Sequence, residues 1–159
     1  PSLGSIILSV TIVPTIARRK VEVAIKYQLQ TTDTWKLGFT ILTASVVIPA
    51  KSASVPATVK INGYTFNVTA IGDKAFNGCT KLKKVTIGSK VTTIGKQAFN
   101  GCKALTSITV NSKVLKTVGA SALKGISAKA VIKVPAAKLS AYQKLFKGKG
   151  QKNSVKITK

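Results

Sequence analysis

The sequence predicts an α/β repeat solenoid. Two observations carry that expectation: a stretch of the chain recurs at a fixed interval, and each recurrence is too short to bury its own apolar side. Residues 71–93 read IGDKAFNGCTKLKKVTIGSKVTT, and residues 94–117 read IGKQAFNGCKALTSITVNSKVLKT. At a spacing of 23, Ala75 falls on Ala98, Phe76 on Phe99, Asn77 on Asn100, Gly78 on Gly101 and Cys79 on Cys102. Leu82 then falls on Leu105, Val85 on Ile108 and Ile87 on Val110. A degraded third copy occupies 118–135, VGASALKGISAKAVIKVP, with Leu123 in place of Phe and Ile126 in place of Cys. Its spacing from the second copy is 24, and the extra residue lies in NSKVLKT. A half-copy, VPATVKINGYTFNVTAIG, precedes the first.

Each copy divides into three local elements. I-G-x-x-A-F is too short for a regular helix but suits one helical turn that buries Ala and Phe on one side. N-G then reverses the chain, because Asn and Gly tolerate positive φ. A strand follows (KKVTIG, TSITVN or AVIKV), whose alternation sends Val85 and Ile87 inward and Thr86 outward. VTTIG supplies a second short extended piece leading into the next copy. Stacked copies share one interior and pair strands with their neighbours about 4.8 Å away.

The pattern IGxxAFxGCxxLxxVxIxxxVxx resembles the BspA-like leucine-rich repeat, over about residues 54–159. The resemblance implies a short leucine-rich-repeat array, a strand plus a short helical turn per repeat, in a secreted or cell-surface protein of bacterial type. VPATVKINGYTFNVTAIG is similar to the lead-in of such arrays, and KVPAAKLSAYQKLFKGKG to their exit. The expected division is a β-rich segment over 1–50, repeats over 51–135 and a C-terminal cap over 136–159. In the cap, Pro135 marks a boundary, Leu139, Tyr142 and Leu145 share helical spacing, and SVKIT reads as a last strand. A helix there covers strand edges and apolar residues at the open end of the stack.

Residues 1–50 lie outside the resemblance. IILSVTIVP, KVEVAIKYQLQ and WKLGFTILTASVVIP are rich in β-branched residues and read as three or four strands, a cap or an assembly region. Self-association through this segment follows from the apolar density of Ile6 to Val13 and Phe39 to Ile48. Residues 36–54 imitate a secretion signal, with a lysine, an apolar stretch and then small residues. Their place 35 residues into the chain favours a β-strand pair instead. Methionine is absent even at position 1, which reads as a processed or trimmed chain. No apolar run reaches the roughly 18–20 residues that cross a bilayer.

Charge is the strongest bulk signal. The 159 residues carry 26 Lys plus Arg against three acids, a net charge of +23. Arg18 and Arg19 are the only arginines, and the acids are Glu22, Asp33 and Asp73. Such a surface attracts polyanions, although dispersed lysines also serve simply to keep an apolar stack soluble. Chemistry is scarce by comparison. Without histidine the chain lacks the usual general base and the commonest transition-metal ligand. Three scattered acids supply neither a carboxylate pair nor a calcium cage. The glycines of GKGQK do not follow a phosphate-loop pattern. The reading is non-enzymatic, with no cofactor and no metal.

Cys79 and Cys102 occupy one place in successive copies and read as small buried thiols beside Phe76 and Phe99, since parallel inward Cβ vectors suit a bridge poorly. Asn67-Val68-Thr69 is an N-x-T triplet of the kind that arises by chance. Trp35, Tyr27 and Tyr64 have the chemistry to stack on sugars or bases, but lone aromatics in strands more often pack across a sheet.

The candidate binding face consists of the outward strand positions Lys84, Thr86, Ser107, Thr109, Val131 and Lys133. A hydroxyl-bearing ladder flanked by lysines suits an extended extracellular protein or glycan, while threonine is also an ordinary residue for an exposed sheet. The leading expectation is therefore a secreted or surface binding module. A structural subunit assembling through 1–50 and a basic binder of anionic polymers are the alternatives.

Overall fold

The computed structural model describes residues 5–12, 23–30, 43–46, 51–61 and 64–159. Strands β1 (Ser5–Ile12), β2 (Val23–Gln30) and β3 (Thr43–Val46) come first, followed by β4 (Ser52–Val55). A hairpin of β5 (Thr58–Ile61) and β6 (Tyr64–Ile71) leads into the repeats. Each repeat then contributes strands in turn: β7 (Lys84–Ile87), β8 (Thr93–Ile94), β9 (Ser107–Val110), β10 (Thr117–Val118) and β11 (Val131–Lys133). A short 3₁₀ turn at Ala136–Lys138, helix α1 (Leu139–Phe146) and β12 (Lys156–Thr158) complete the order.

These strands form two sheets. The first is a five-stranded parallel ladder in the order β12-β11-β9-β7-β4. Its register sets Lys84 against Ser107 and Ile87 against Val110, the same offset of 23 that the sequence repeat has. The second has seven strands, with β10-β8-β6-β1 parallel, β2 and β3 antiparallel beyond them, and β5 paired with β6. A third ladder runs along the turns. The N–H groups of Lys74, Phe76 and Gly78 donate to the carbonyls of Lys96, Ala98 and Asn100 at 2.7–2.8 Å. Gln97, Phe99 and Gly101 donate in the same way to Ala120, Ala122 and Lys124 at 2.8–3.0 Å. Backbone groups that a solitary loop would leave to water are thus paired rung to rung.

The helical turn within each repeat takes the form of successive i→i−3 bonds, such as Ala75 to Gly72, Asn77 to Lys74 and Cys79 to Phe76. Left-handed backbone recurs at two places in each rung. Gly78, Gly101 and Gly125 have φ of 75°, 76° and 75°, whereas Asn77 and Asn100 of the N-G pairs do not enter this region. Lys74, Gln97 and Ser121 do, at 53–56°, an unfavourable choice for residues with a Cβ that the surrounding ladder imposes. Glycine has a different task at Gly95 and Gly119. A Cβ at either would stand 2.5 Å from the backbone nitrogen of Asp73 or Lys96, so the rungs close to their spacing only without one.

One continuous core runs along the stack. Val85, Ile87, Ile108, Val110 and Ile132 point into it from the five-stranded sheet, and Ile71, Ile94 and Val118 from the other. Phe76 and Phe99 lie face to face with ring centroids 5.1 Å apart and planes 8° apart, and Leu123 continues the column. The expected in-register stacking of the 23-residue copies is therefore present. The extra residue of the second copy falls in the bulge before Leu115, where Val114 stands out into solvent while Ser112 and Leu115 are buried. Helix α1 secures that bulge. The Tyr142 hydroxyl donates to the Ser112 carbonyl at 2.9 Å and accepts from the Leu115 N–H at 3.0 Å. On the helix itself Tyr142 and Phe146 are the buried pair, meeting edge to face at 6.5 Å, with Leu139 and Leu145 only partly covered.

The signal-like stretch 36–54 requires one correction. Its described residues form β3 and β4, but these strands do not pair with each other: β3 pairs with β2 in one sheet and β4 with β7 in the other. The register that puts Ser52 against Lys84 and Val55 against Ile87 seats Ala53 and Val55 in the core. Trp35 lies outside the described residues, while Tyr27 and Tyr64 fall on β2 and β6.

Candidate binding face

The five-stranded sheet turns one side to the core and the other to solvent because its strands alternate. Val85 and Ile87 are buried while Lys84 is exposed and Thr86 half-buried between neighbours. Register carries this alternation across the sheet in two rows. One row runs Ser52, Lys84, Ser107, Val131 and Lys156, and the other Ser54, Thr86, Thr109, Lys133 and Thr158. All six residues singled out in the sequence fall on these rows, three in each. None is buried: Lys84 and Lys133 are exposed, and Thr86, Ser107, Thr109 and Val131 are partly so.

Four members of the rows escaped the sequence reading. Ser52 and Ser54 precede the repeats, and Lys156 and Thr158 follow them, so no internal alignment places them. Their only sequence signal is short alternation, S-A-S-V and K-I-T, with the apolar residue falling on the core side.

Some hydroxyls tie one rung to the next. Thr92 and Thr106 donate to carbonyls of the preceding rung, Thr69 and Lys83, at 3.0 and 3.3 Å, and Ser112 donates to Val91 at 2.6 Å. Thr86, Ser107 and Thr109 make no side-chain hydrogen bond among the described residues, which leaves their hydroxyls facing outward and available. Charge is one-sided as well. Asp73 is the only acid beyond residue 50, it lies on the turn side, and its carboxylate accepts the Lys96 N–H at 2.7 Å.

The thiols sit away from this face. Cys79 and Cys102 are free, Cys102 fully buried and donating to the Phe76 carbonyl at 3.0 Å. The neighbouring Cys79 thiol, followed by burial, pushes the Cys102 thiol well above the usual range, so it stays protonated. The N-x-T asparagine, Asn67, lies in β6 at a position paired with both Thr58 and Ser5. Among the described residues no group of histidine, cysteine or carboxylate side chains could hold a metal. No described helix is long and apolar enough to cross a membrane.

A solenoid of in-register 23-residue rungs defines a leucine-rich-repeat protein. Residues 52–159 match the BspA type leucine rich repeat region in six copies, and the chain belongs to that family. Among solved structures it is similar to a leucine-rich repeat protein from Bacteroides capillosus ATCC 29799, at 24% identity and a TM-score of 0.50, covering 71% of this chain and 80% of that one. It is also similar to a leucine rich cell surface protein from Faecalibacterium prausnitzii A2-165, at 25% identity and a TM-score of 0.45. That match covers 54% of this chain and spans only 30% of the surface protein's length. A third, from Bacteroides ovatus ATCC 8483, is 21% identical with a TM-score of 0.42, covering 81% of this chain and 37% of that one. None of the curated proteins matches the chain.

Proposed function

We propose that this chain is a non-enzymatic binding module of a bacterial surface or secreted protein, recognising an extracellular protein or glycan through the outward rows of its five-stranded sheet. The observation that carries the reading is the pair of registered rows, whose central hydroxyls on Thr86, Ser107 and Thr109 make no side-chain hydrogen bond among the described residues. A rigid sheet presents such groups at fixed intervals of about 4.8 Å without an ordering cost on binding. Family membership supports the scaffold and leaves the ligand to the face itself.

The test is an array of immobilised matrix proteins and glycans probed with the wild type and a Ser107→Trp/Thr109→Trp pair, which plants bulk in the middle of the rows. Lys116→Trp, exposed and off the sheet, is the control. Binding should drop at least about tenfold in the pair, the equivalent of roughly 1.4 kcal/mol, and stay level in the control. Equal binding by all three refutes the face. Assembly through 1–50 is a second reading, favoured by the position of β3 at the edge of the seven-stranded sheet among the described strands. Light scattering of the full chain, with and without residues 1–50, decides it.

A further inference from the structure

We infer that the ligand of this face is an acidic polysaccharide, a sugar polymer bearing sulfate or carboxylate groups. The inference rests on the reading of the sheet as a recognition surface and names what that surface takes. Lys84, Lys133 and Lys156 stand on the two rows, all exposed and none with a carboxylate partner among the described residues, and no acid lies on the sheet's strands. At about 4.8 Å per strand, two strands separate Lys84 from Lys133 and three separate it from Lys156, so Lys84 sits on the order of 10–15 Å from the other two, which stand on neighbouring strands. Between them lie Thr86, Ser107 and Thr109, hydroxyl groups that can both donate and accept.

That arrangement, separated point charges with a neutral hydroxyl floor, discriminates among polyanions. Single-stranded nucleic acid is held by aromatic platforms on which bases stack and by arginine, and the rows contain neither. A neutral glycan would make no use of the lysines. An acidic polysaccharide uses both parts: its anionic groups meet ammonium ions, and its ring hydroxyls exchange hydrogen bonds with threonine and serine. The single acid beyond residue 50, Asp73, is turned away and occupied by the Lys96 N–H, so nothing on the sheet repels such a chain.

The experiment measures affinity for dextran sulfate by calorimetry at about 150 mM salt, near the physiological value. Uncharged dextran, polyglutamate and single-stranded DNA are the comparison probes. A Lys84→Gln/Lys133→Gln/Lys156→Gln variant is set against Lys96→Gln/Lys124→Gln/Lys144→Gln, which removes the same charge from exposed sites off the sheet. All six side chains are exposed, and circular dichroism checks that both variants stay folded. The sheet variant should lose about tenfold in affinity or more, the control about twofold or less, from the small worth of each solvated charge pair. Equal losses in the two variants overturn the proposal, as does uncharged dextran binding as well as its sulfate. DNA or polyglutamate binding as tightly as dextran sulfate overturns it too. If the lysine variant is silent while the Ser107→Trp/Thr109→Trp pair still abolishes array binding, the recognition face stands and its acidic ligand falls.

Discussion

Stacking of Phe76 on Phe99 should be measurable as a coupling energy between two adjacent rungs. Both rings are at most 1% exposed, and they overlap at 5.1 Å, within the range where aromatic pairs gain about 0.5–1.5 kcal/mol beyond their buried area. Leucine is the appropriate probe because Leu123 already fills the same column one rung further on, also 1% exposed. Each single Phe→Leu change loses the stacking term, about 1 kcal/mol, and leaves a small cavity costing about 1 kcal/mol more. Each single variant should therefore cost about 2 kcal/mol. The double variant can lose the stack only once, so it should cost about 3 rather than 4 kcal/mol, a coupling of about 1 kcal/mol. Urea unfolding followed by far-ultraviolet circular dichroism reads all four proteins at a common m value. Additivity within about 0.3 kcal/mol would refute a shared column and, with it, the continuity of the interior.

Gly95→Ala should destabilise by about 1–3 kcal/mol, because its Cβ would stand 2.5 Å from the Asp73 nitrogen in a rung held by strand pairing. An alanine variant with an unchanged urea midpoint would show the spacing to be adjustable. Tyr142→Phe removes the hydroxyl that serves the Ser112 carbonyl and the Leu115 N–H, leaving two buried groups unpaired at a cost of about 1–3 kcal/mol. Faster hydrogen exchange at the Leu115 amide should accompany it, and exchange at the wild-type rate would contradict the staple. Cys102 makes stability depend on pH. Its folded thiol is raised above the unfolded value, so the protonated form is favoured in the fold, and its contribution is whole below about pH 8.5. Above that the unfolded chain ionises first, and stability should fall by up to about 1.4 kcal/mol per pH unit. Cys102→Ala under reducing conditions should flatten the slope between about pH 8.5 and 9.5 relative to wild type, and an identical slope would exclude the thiol.

Much of the array was legible because its signals are local and repeated. A strand of period two states which side it buries, so Val85, Ile87, Ile108 and Val110 read as core, and Lys84, Thr86, Ser107 and Thr109 as outward. Repetition at 23 then aligns Phe76 with Phe99, because a solenoid converts sequence offset directly into vertical neighbourhood. Where repetition stops, so does that conversion. Ser52, Ser54, Lys156 and Thr158 join the face through register with β7 and β11, which nothing within their own segments encodes.

Other features depended on contacts between distant parts of the chain. Val114 is exposed and Ser112 buried because Tyr142, 30 residues beyond the serine, holds the bulge closed. Lys74, Gln97 and Ser121 are left-handed although their residue types do not call for it, since the ladder through the turns sets their backbone. Most distant of all is β1, which lies parallel to β6 with Ser5 against Asn67 and Leu8 against Ile71. Apolar pattern declares which side chains must leave water. Which segment comes to cover them depends on free hydrogen-bonding edges and on the geometry of the assembled stack, and those exist only once the chain has folded.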